Sequence, residues 1–271
     1  MDFSNNYTPE QDVFRIHVRS WLRENVPSGI NIPNDGRPLD ITSQSAIKEF
    51  RMKLGRMGWL APSWPTGMGG AGLSESLELV FREELMDLNL PSIGNNPRWI
   101  PAMIAWGTTE QKERYILPAV RGETITWQLF TEAESGTDLA AIQTFAVRKD
   151  DKWVINGHKD FITGRFDPDL FFTLAVTDLT RPQHINLGIF MVDARLPGIT
   201  IVDQNLLVGS ERHVALDSVE ISDNCRIGGV YQGWEIAQTV LEGEREGLPL
   251  GPEDSATVHS IMRYLSDQSK T

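Results

Sequence analysis

Apolar positions recur at helical spacing over the first 120 or so residues and at strand spacing beyond them. Phe14, Val18 and Trp21, with Leu22 beside it, form one stripe at intervals of four and three. It follows Thr8-Pro9-Glu10-Gln11, where Thr8 can cap, Pro9 suits the first turn and Gln11 stands where a capping box requires it. Ile47, Phe50, Leu54 and Met57 repeat the spacing until Gly58 stops it. Ser74 opens a third run with Leu77, Phe81, Leu85 and Leu88 on one face, and Thr108 with Gln111 makes a second capping box before "KERYILPAV". Between the second and third runs, "GWLAPSWPTGMGGAG" is a long Gly/Pro turn with two tryptophans as packing anchors.

Near Gly122 the period changes. "TITWQLF", "QTFAVRK", "KWVING", "LFFTLAVTD", "LGIFMVD", "GITIVD" and "HVALDSVEI" are short, β-branched or aromatic, and punctuated by turn chemistry. Asp150-Asp151 and Asn156-Gly157 are read as two of those turns. Strands this short and this closely spaced predict an antiparallel sandwich or barrel. From Gly233 the helical period returns with Trp234, Ile236, Ala237, Val240 and Leu241. The fold class expected is α+β: an N-terminal helical domain over 1–122, a middle antiparallel β-barrel or sandwich domain over 123–231, and the start of a C-terminal helical domain over 232–271. Leu248, Leu250, Val258, Ile261, Met262 and Leu265 then need cover from the first domain or from another chain.

Composition leaves that picture intact and narrows the partners. The 271 residues are 40% hydrophobic and 23% charged, ordinary for a globular chain. A net charge of −12 argues against nucleic acid and anionic membranes, both of which reward a basic face. The single cysteine, Cys225, rules out an intramolecular disulfide and makes the cytoplasm the default compartment. "MDFSNNYTPEQDVF" lacks the basic and apolar regions of a signal peptide, and no window is apolar enough to span a membrane. The five histidines are scattered without ligand spacing, so no metal site is expected.

Chemistry concentrates in "QLFTEAESGTDLAA", residues 128–141, where small residues, acids and threonines crowd one turn without His or Cys. This loop resembles the flavin loop of the acyl-CoA dehydrogenase family, commonly T-E-P-x-A-G-S-D. Three further motifs follow the family order. "GWLAPSWPTGMGGAGLS" is similar to its first-domain loop, "WGTTEQKERYILPAVRGE" to the segment entering the middle domain, and "INGHKDFITG" to its N-G-x-K-x-W-I-T-x strand. The spelling "WQLFTE" resembles the branch that handles branched, steroid-side-chain or other bulky acyl groups, some of whose members work as heteromers.

The resemblance implies FAD as cofactor and α,β-dehydrogenation of an acyl thioester, carried on coenzyme A or on a carrier protein. FAD supplies the hydride chemistry, and the protein binds, orients and tunes it. By the match, Gln128, Phe130 and Thr131 line the flavin's pyrimidine edge and Gly136 lets the backbone approach. Thr137 stands at the usual serine near the pyrophosphate and the thioester, Phe161 at the usual tryptophan, and Thr163 at the threonine near N5. Taken singly, Thr and Gly at a strand end are turn formers, and an aromatic in a strand is a core residue. The chain departs from the pattern at Ala133 (usually Pro), at Glu134 and Ser135 (usually small), and at Thr137. Replacing proline widens the unfolded ensemble by about 0.4–1 kcal/mol, and a carboxylate at Glu134 is repelled by a pyrophosphate unless it faces solvent.

The general base implied by one branch is a Glu immediately before an Arg at the start of the C-terminal domain, here Glu244-Arg245 in "LEGEREGL". Burial against an acyl chain raises such a carboxylate toward a useful range, and Arg245 would order the helix or touch the ligand. The competing reading of "EGERE" is a solvated helix surface. The family resemblance also implies an electron-transfer flavoprotein-like acceptor and a second acyl-CoA dehydrogenase-like subunit, or a homo-oligomer, to complete the site. The alternative is a catalytically inactive member of the same fold that binds a thioester or a protein partner.

Overall fold

In a computed structural model, residues 7–30, 39–86, 88, 98–164, 166–206 and 210–245 are described. Both capping boxes close. At the start of α1 (Pro9–Asn25), Thr8 Oγ1 accepts from the Gln11 N–H and Gln11 Oε1 accepts from the Thr8 N–H. Thr108 and Gln111 repeat the exchange ahead of α5 (Thr109–Val120). Asp40 caps α2 (Ile41–Arg56) through the Ser43 N–H. α1 is pinned to α3 (Glu75–Met86) by Arg19, whose Nε and Nη2 reach the two oxygens of buried Glu84 at 2.8 and 2.6 Å. A short helix, α4 (Trp99–Trp106), precedes α5.

α2 and the end of α5 meet backbone to backbone. A Cβ on Gly55 would lie 2.2 Å from the Arg121 carbonyl oxygen, so no larger residue fits there. Arg51, buried beside this contact, donates to the carbonyls of Gly122 and Thr124 at 3.0 and 2.9 Å and of Ala119 at 3.4 Å. One guanidinium thus ties the last turn of α5 to the segment that follows it.

All seven strand segments form strands: β1 (Thr126–Leu129), β2 (Phe145–Lys149), β3 (Lys152–Ile162), β4 (Leu170–Val176), β5 (Leu187–Asp193), β6 (Ile199–Asn205) and β7 (Ser210–Ser222). A two-residue β8 (Arg226–Ile227) joins them. Two expectations are corrected. The strands make one eight-stranded sheet in the order β6-β7-β3-β2-β4-β5-β8, which does not close, and β1 pairs with β4 in parallel. β1 arrives from α5 and leaves through the 130–144 loop rather than through a hairpin, so nothing forces it antiparallel. Asn156-Gly157 is not a turn but continues β3 opposite a bulge whose extra residue lies on β7, since Ile155 pairs with Val219 and Gly157 with Leu216. There Gly157 has φ 143°, and the Asn156 side chain accepts from the Ser218 N–H on β7.

Two apolar cores result, and both cross from helices to sheet. One joins Val18, Leu22, Phe50 and Leu54 to Trp127, Leu129, Trp153 and Phe171. The other joins Trp99, Met103 and Ile116 to Phe130, Phe172, Ile189 and Met191, and takes in Ile236, Ala237 and Val240 of α6 (Gly233–Arg245). Trp106 Nε1 donates to Thr239 Oγ1 at 3.2 Å, fastening α4 to α6. Leu248, Leu250, Val258, Ile261, Met262 and Leu265 lie outside the described residues.

Candidate functional site

The loop after β1 is a tight turn held from behind by two consecutive residues of β3. Glu132 and Ser135 exchange backbone hydrogen bonds at 3.2 and 3.0 Å, which leaves Ala133 and Glu134 at the tip. Glu132 turns inward and is buried. Its carboxylate accepts from the Gln143 and Thr144 N–H groups at 2.6 and 3.0 Å and from Lys159 Nζ at 2.8 Å. Lys159 is wholly buried and also donates to the Phe130 carbonyl at 3.0 Å. Asp160 completes the grip: its N–H donates to the Thr131 carbonyl at 3.0 Å, and its Oδ2 accepts from the Ala133 N–H at 3.2 Å. Asp160 Oδ1 is held in turn by His213 Nδ1 at 2.7 Å and Gln204 Nε2 at 3.0 Å.

Charge balance follows from these contacts. Burial pulls the Lys159 ammonium down to about 8 against the opposing field of Glu132. Burial alone would raise the Glu132 carboxyl, but Lys159 and the two N–H donors outweigh it and hold it below the usual carboxylate range. Asp160 behaves alike, with His213, Gln204 and Ala133 outweighing its burial. Both carboxylates are therefore ionised and satisfied at neutral pH.

The next residue along β3 is Phe161, at a second bulge. Lys159 pairs with Val214 and Ile162 with Arg212, so β3 spends one residue more than β7 over this step. Phe161 takes up the excess at φ 56° with its side chain 50% exposed. A left-handed aromatic costs about 1–3 kcal/mol, and such conformations gather where a side chain must be aimed. The strand's alternation would send Phe161 inward beside Lys159; the bulge gives that inward place to Ile162 instead.

The loop residues expected to bind a ligand therefore come together with Phe161. Thr131 is half-buried between the two gripped positions, and a Cβ built on exposed Gly136 would find only Thr131 Cγ2, at 4.0 Å. Thr137 is exposed on the same loop, as is Glu134, whose carboxylate faces solvent. Thr163 is exposed and donates to Glu211 at 3.4 Å. Phe130 is spent in the core, 6.2 Å from the Phe172 ring, and its carbonyl on Lys159, so any ligand contact from it is by backbone. Gln128 alternates onto the same sheet face as Phe130. Its Oε1 is buried without a hydrogen-bond partner among the described residues.

Glu244 and Arg245 end α6, which lies over that same sheet face. Sequence reasoning missed Lys159, Asp160, Glu132, Gln204 and His213. The available signal was in the two motifs themselves, where Glu132 stands at the Glu of T-E-P-x-A-G-S-D and Lys159 at the Lys of N-G-x-K-x-W-I-T-x. Among the described residues no group of His, Cys, Asp or Glu is arranged to hold a metal, and no helix is long and apolar enough to cross a membrane.

The model of the acyl-CoA dehydrogenase N-terminal domain matches residues 8–123, and that of the acyl-CoA dehydrogenase middle domain matches residues 128–223. The chain belongs to the acyl-CoA dehydrogenase family. The acyl-CoA dehydrogenase FadE34 of Mycobacterium tuberculosis is 32% identical over 221 residues, covering 80% of this chain and 31% of its own length. Among solved structures, the Tcur3481-Tcur3483 steroid ACAD G363A variant has the same fold, with a TM-score of 0.82 and 24% identity, covering 97% of this chain and 68% of that one. The ChsE4-ChsE5 complex from Mycobacterium tuberculosis matches with a TM-score of 0.70 and 25% identity, covering 90% of this chain and 61% of that one.

Proposed function

We propose that this acyl-CoA dehydrogenase-family chain takes part in FAD-dependent α,β-dehydrogenation of an acyl thioester, in a site completed by a partner subunit. The observation that carries the reading is the pairing of the gripped loop with the bulge. Thr131 is bonded through its carbonyl to the residue just before Phe161, so a hydroxyl-bearing loop and an exposed aromatic border one space. The residues fit a flavin. The Gly136 position opens on free space, Phe161 offers an uncovered ring, and Gln128 Oε1 is a buried acceptor awaiting a donor. FAD, when bound, supplies the acceptor for the hydride that leaves the substrate's Cβ.

The chain's residues have separate tasks in this reading. Gln128, Thr131 and the Phe130 backbone orient the cofactor edge, with Phe161 and Thr163 bounding its face. Gly136 and Thr137 admit the pyrophosphate and the thioester, while Glu134 stays in solvent. The Glu244 carboxylate takes the α-proton and Arg245 steadies the ligand end of α6. Electrons pass on to an electron-transfer flavoprotein-like acceptor.

The partner is a second acyl-CoA dehydrogenase-like polypeptide, or a second copy of this one. This rests on similarity to structures whose names join two components, Tcur3481-Tcur3483 and ChsE4-ChsE5, of which this chain spans about two thirds.

The test is the flavin content of the full chain, purified alone and with a co-expressed partner, followed by exposure to acyl-CoA. A flavin spectrum that bleaches with acyl-CoA is expected, and Glu244→Gln should keep the flavin and the ligand while losing turnover by a factor on the order of 1000. Colourless protein in every combination favours the inactive alternative, and turnover by Glu244→Gln removes Glu244 from the chemistry.

A further inference from the structure

The tip of the candidate flavin loop carries alanine at the second position of a four-residue turn, Glu132 to Ser135. Proline is favoured at that position because its ring fixes φ and the turn does not use the N–H it lacks. Alanine restores both the freedom and the donor. The donor is used: the Ala133 N–H points at Asp160 Oδ2, 3.2 Å away, across from the turn. Asp160 cannot swing off to follow a loosened loop, because His213 Nδ1 and Gln204 Nε2 fix its other oxygen from β7 and β6, and the residue is buried. Its backbone N–H meanwhile holds the Thr131 carbonyl.

We infer that Asp160 is a positioning residue. Braced by His213 and Gln204, it rigidifies the Glu132–Ser135 turn through the Ala133 amide, in place of the constraint a proline would impose. The two devices are alternatives at one position, since a proline at 133 has no N–H to give. Charge-assisted hydrogen bonds to backbone N–H groups are about twice as strong as neutral ones, so the exchange retains rigidity while tying the loop to the strand that presents Phe161. Thr131 and Phe161 are thereby held at a set separation before any ligand arrives. The consequence for FAD rests on the proposed function; the hydrogen bond itself does not.

Two measurements on the full chain separate these. Amide hydrogen exchange without added cofactor should show the Ala133 N–H protected by about tenfold or more relative to the exposed Glu134 N–H, and Asp160→Asn should reduce that protection. An Ala133 amide exchanging as fast as that of Glu134 overturns the inference whatever the flavin does.

The second measurement is an FAD titration of four forms: unsubstituted, Asp160→Asn, Ala133→Pro, and the double variant. Asp160→Asn should weaken FAD binding by roughly threefold to tenfold, in line with a lost charge-assisted contact. Adding Ala133→Pro to Asp160→Asn should return affinity to within about twofold of the unsubstituted chain, a coupling that contacting residues show in a double-mutant cycle. Failure of proline to rescue overturns the positioning role, because a merely structural aspartate would not be repaired from the loop tip. If no form binds FAD, alone or with the co-expressed partner, but the Ala133 amide is protected and responds to Asp160→Asn, the turn device stands and the functional reading falls.

Discussion

Lys159 and Glu132 decide more about the loop than the residues at its surface. Removing either charge strands the other in an apolar interior, which costs about 3–5 kcal/mol for a buried pair. Glu132 also satisfies two backbone donors at the start of the chain's return to β2, so its loss opens the turn from both ends. Its folded carboxyl sits below the ordinary 4.5, since Lys159 and the N–H donors outweigh burial. The stability it contributes is therefore complete above 4.5 and is lost as pH falls through the depressed folded value. Glu132→Gln should lower the urea midpoint at neutral pH and decline less steeply than the unsubstituted chain below about pH 4.5. Equal acid slopes for the two proteins would show that another carboxylate governs this window.

β3 shapes the candidate site through two bulges in its pairing with β7, the first with its extra residue on β7 and the second with its extra residue on β3. At the first, a Cβ on Gly157 would sit 2.5 Å from Thr144 Oγ1 and 2.6 Å from Thr144 Cα, a backbone neighbour that cannot rotate away. Gly157→Ala should cost about 1–3 kcal/mol or more as overpacking. It should also disturb Lys159 and Phe161 downstream, because register along a strand is shared. Differential scanning calorimetry together with the FAD titration checks this; a loss of stability with unchanged FAD affinity would confine the bulge to a structural role. The same strand shows what could and could not be read from the chain. Helix starts at Thr8 and Thr108 and all seven strand segments were legible, because capping and alternation are local signals. The extended course of Asn156-Gly157 was not, since the dipeptide's local preference for a turn is overridden by the hydrogen bond from the Ser218 N–H to the Asn156 side chain and by contact with Thr144. Thr131, Lys159 and Phe161 all stand at motif positions, though the inward role of Lys159 is not written there, whereas Asp160 falls at an unspecified position and His213 outside any motif. Asp160 and His213 converge from β3 and β7, 53 residues apart, and no spacing rule links them.

At the scale of the whole molecule, two family segments behave as one folded body because neither keeps a core to itself. Leu22 and Phe50 share a cluster with Trp127 and Trp153, and Trp99 shares another with Phe172 and Ile236. Gln111 crosses between the segments, its Nε2 donating to the Asn224 and Arg226 carbonyls at 2.8 Å, and Arg51 braces the junction from α5 to β1, where its guanidinium reaches Ala119, Gly122 and Thr124. Burial draws its pKa down only to about 10, so it remains charged and forked at neutral pH. Lysine in its place keeps the charge but gives one ammonium on a thinner stem, which cannot span three carbonyls set by a planar fork. Arg51→Lys should therefore cost about 2–4 kcal/mol, the scale of charged hydrogen bonds lost from a buried site. Its more telling effect is on cooperativity. The unsubstituted chain should unfold in one calorimetric transition whose van't Hoff and calorimetric enthalpies agree, and Arg51→Lys should lower their ratio as helices and sheet begin to melt apart. Two transitions already present in the unsubstituted chain would mean that the shared cores do not couple the segments.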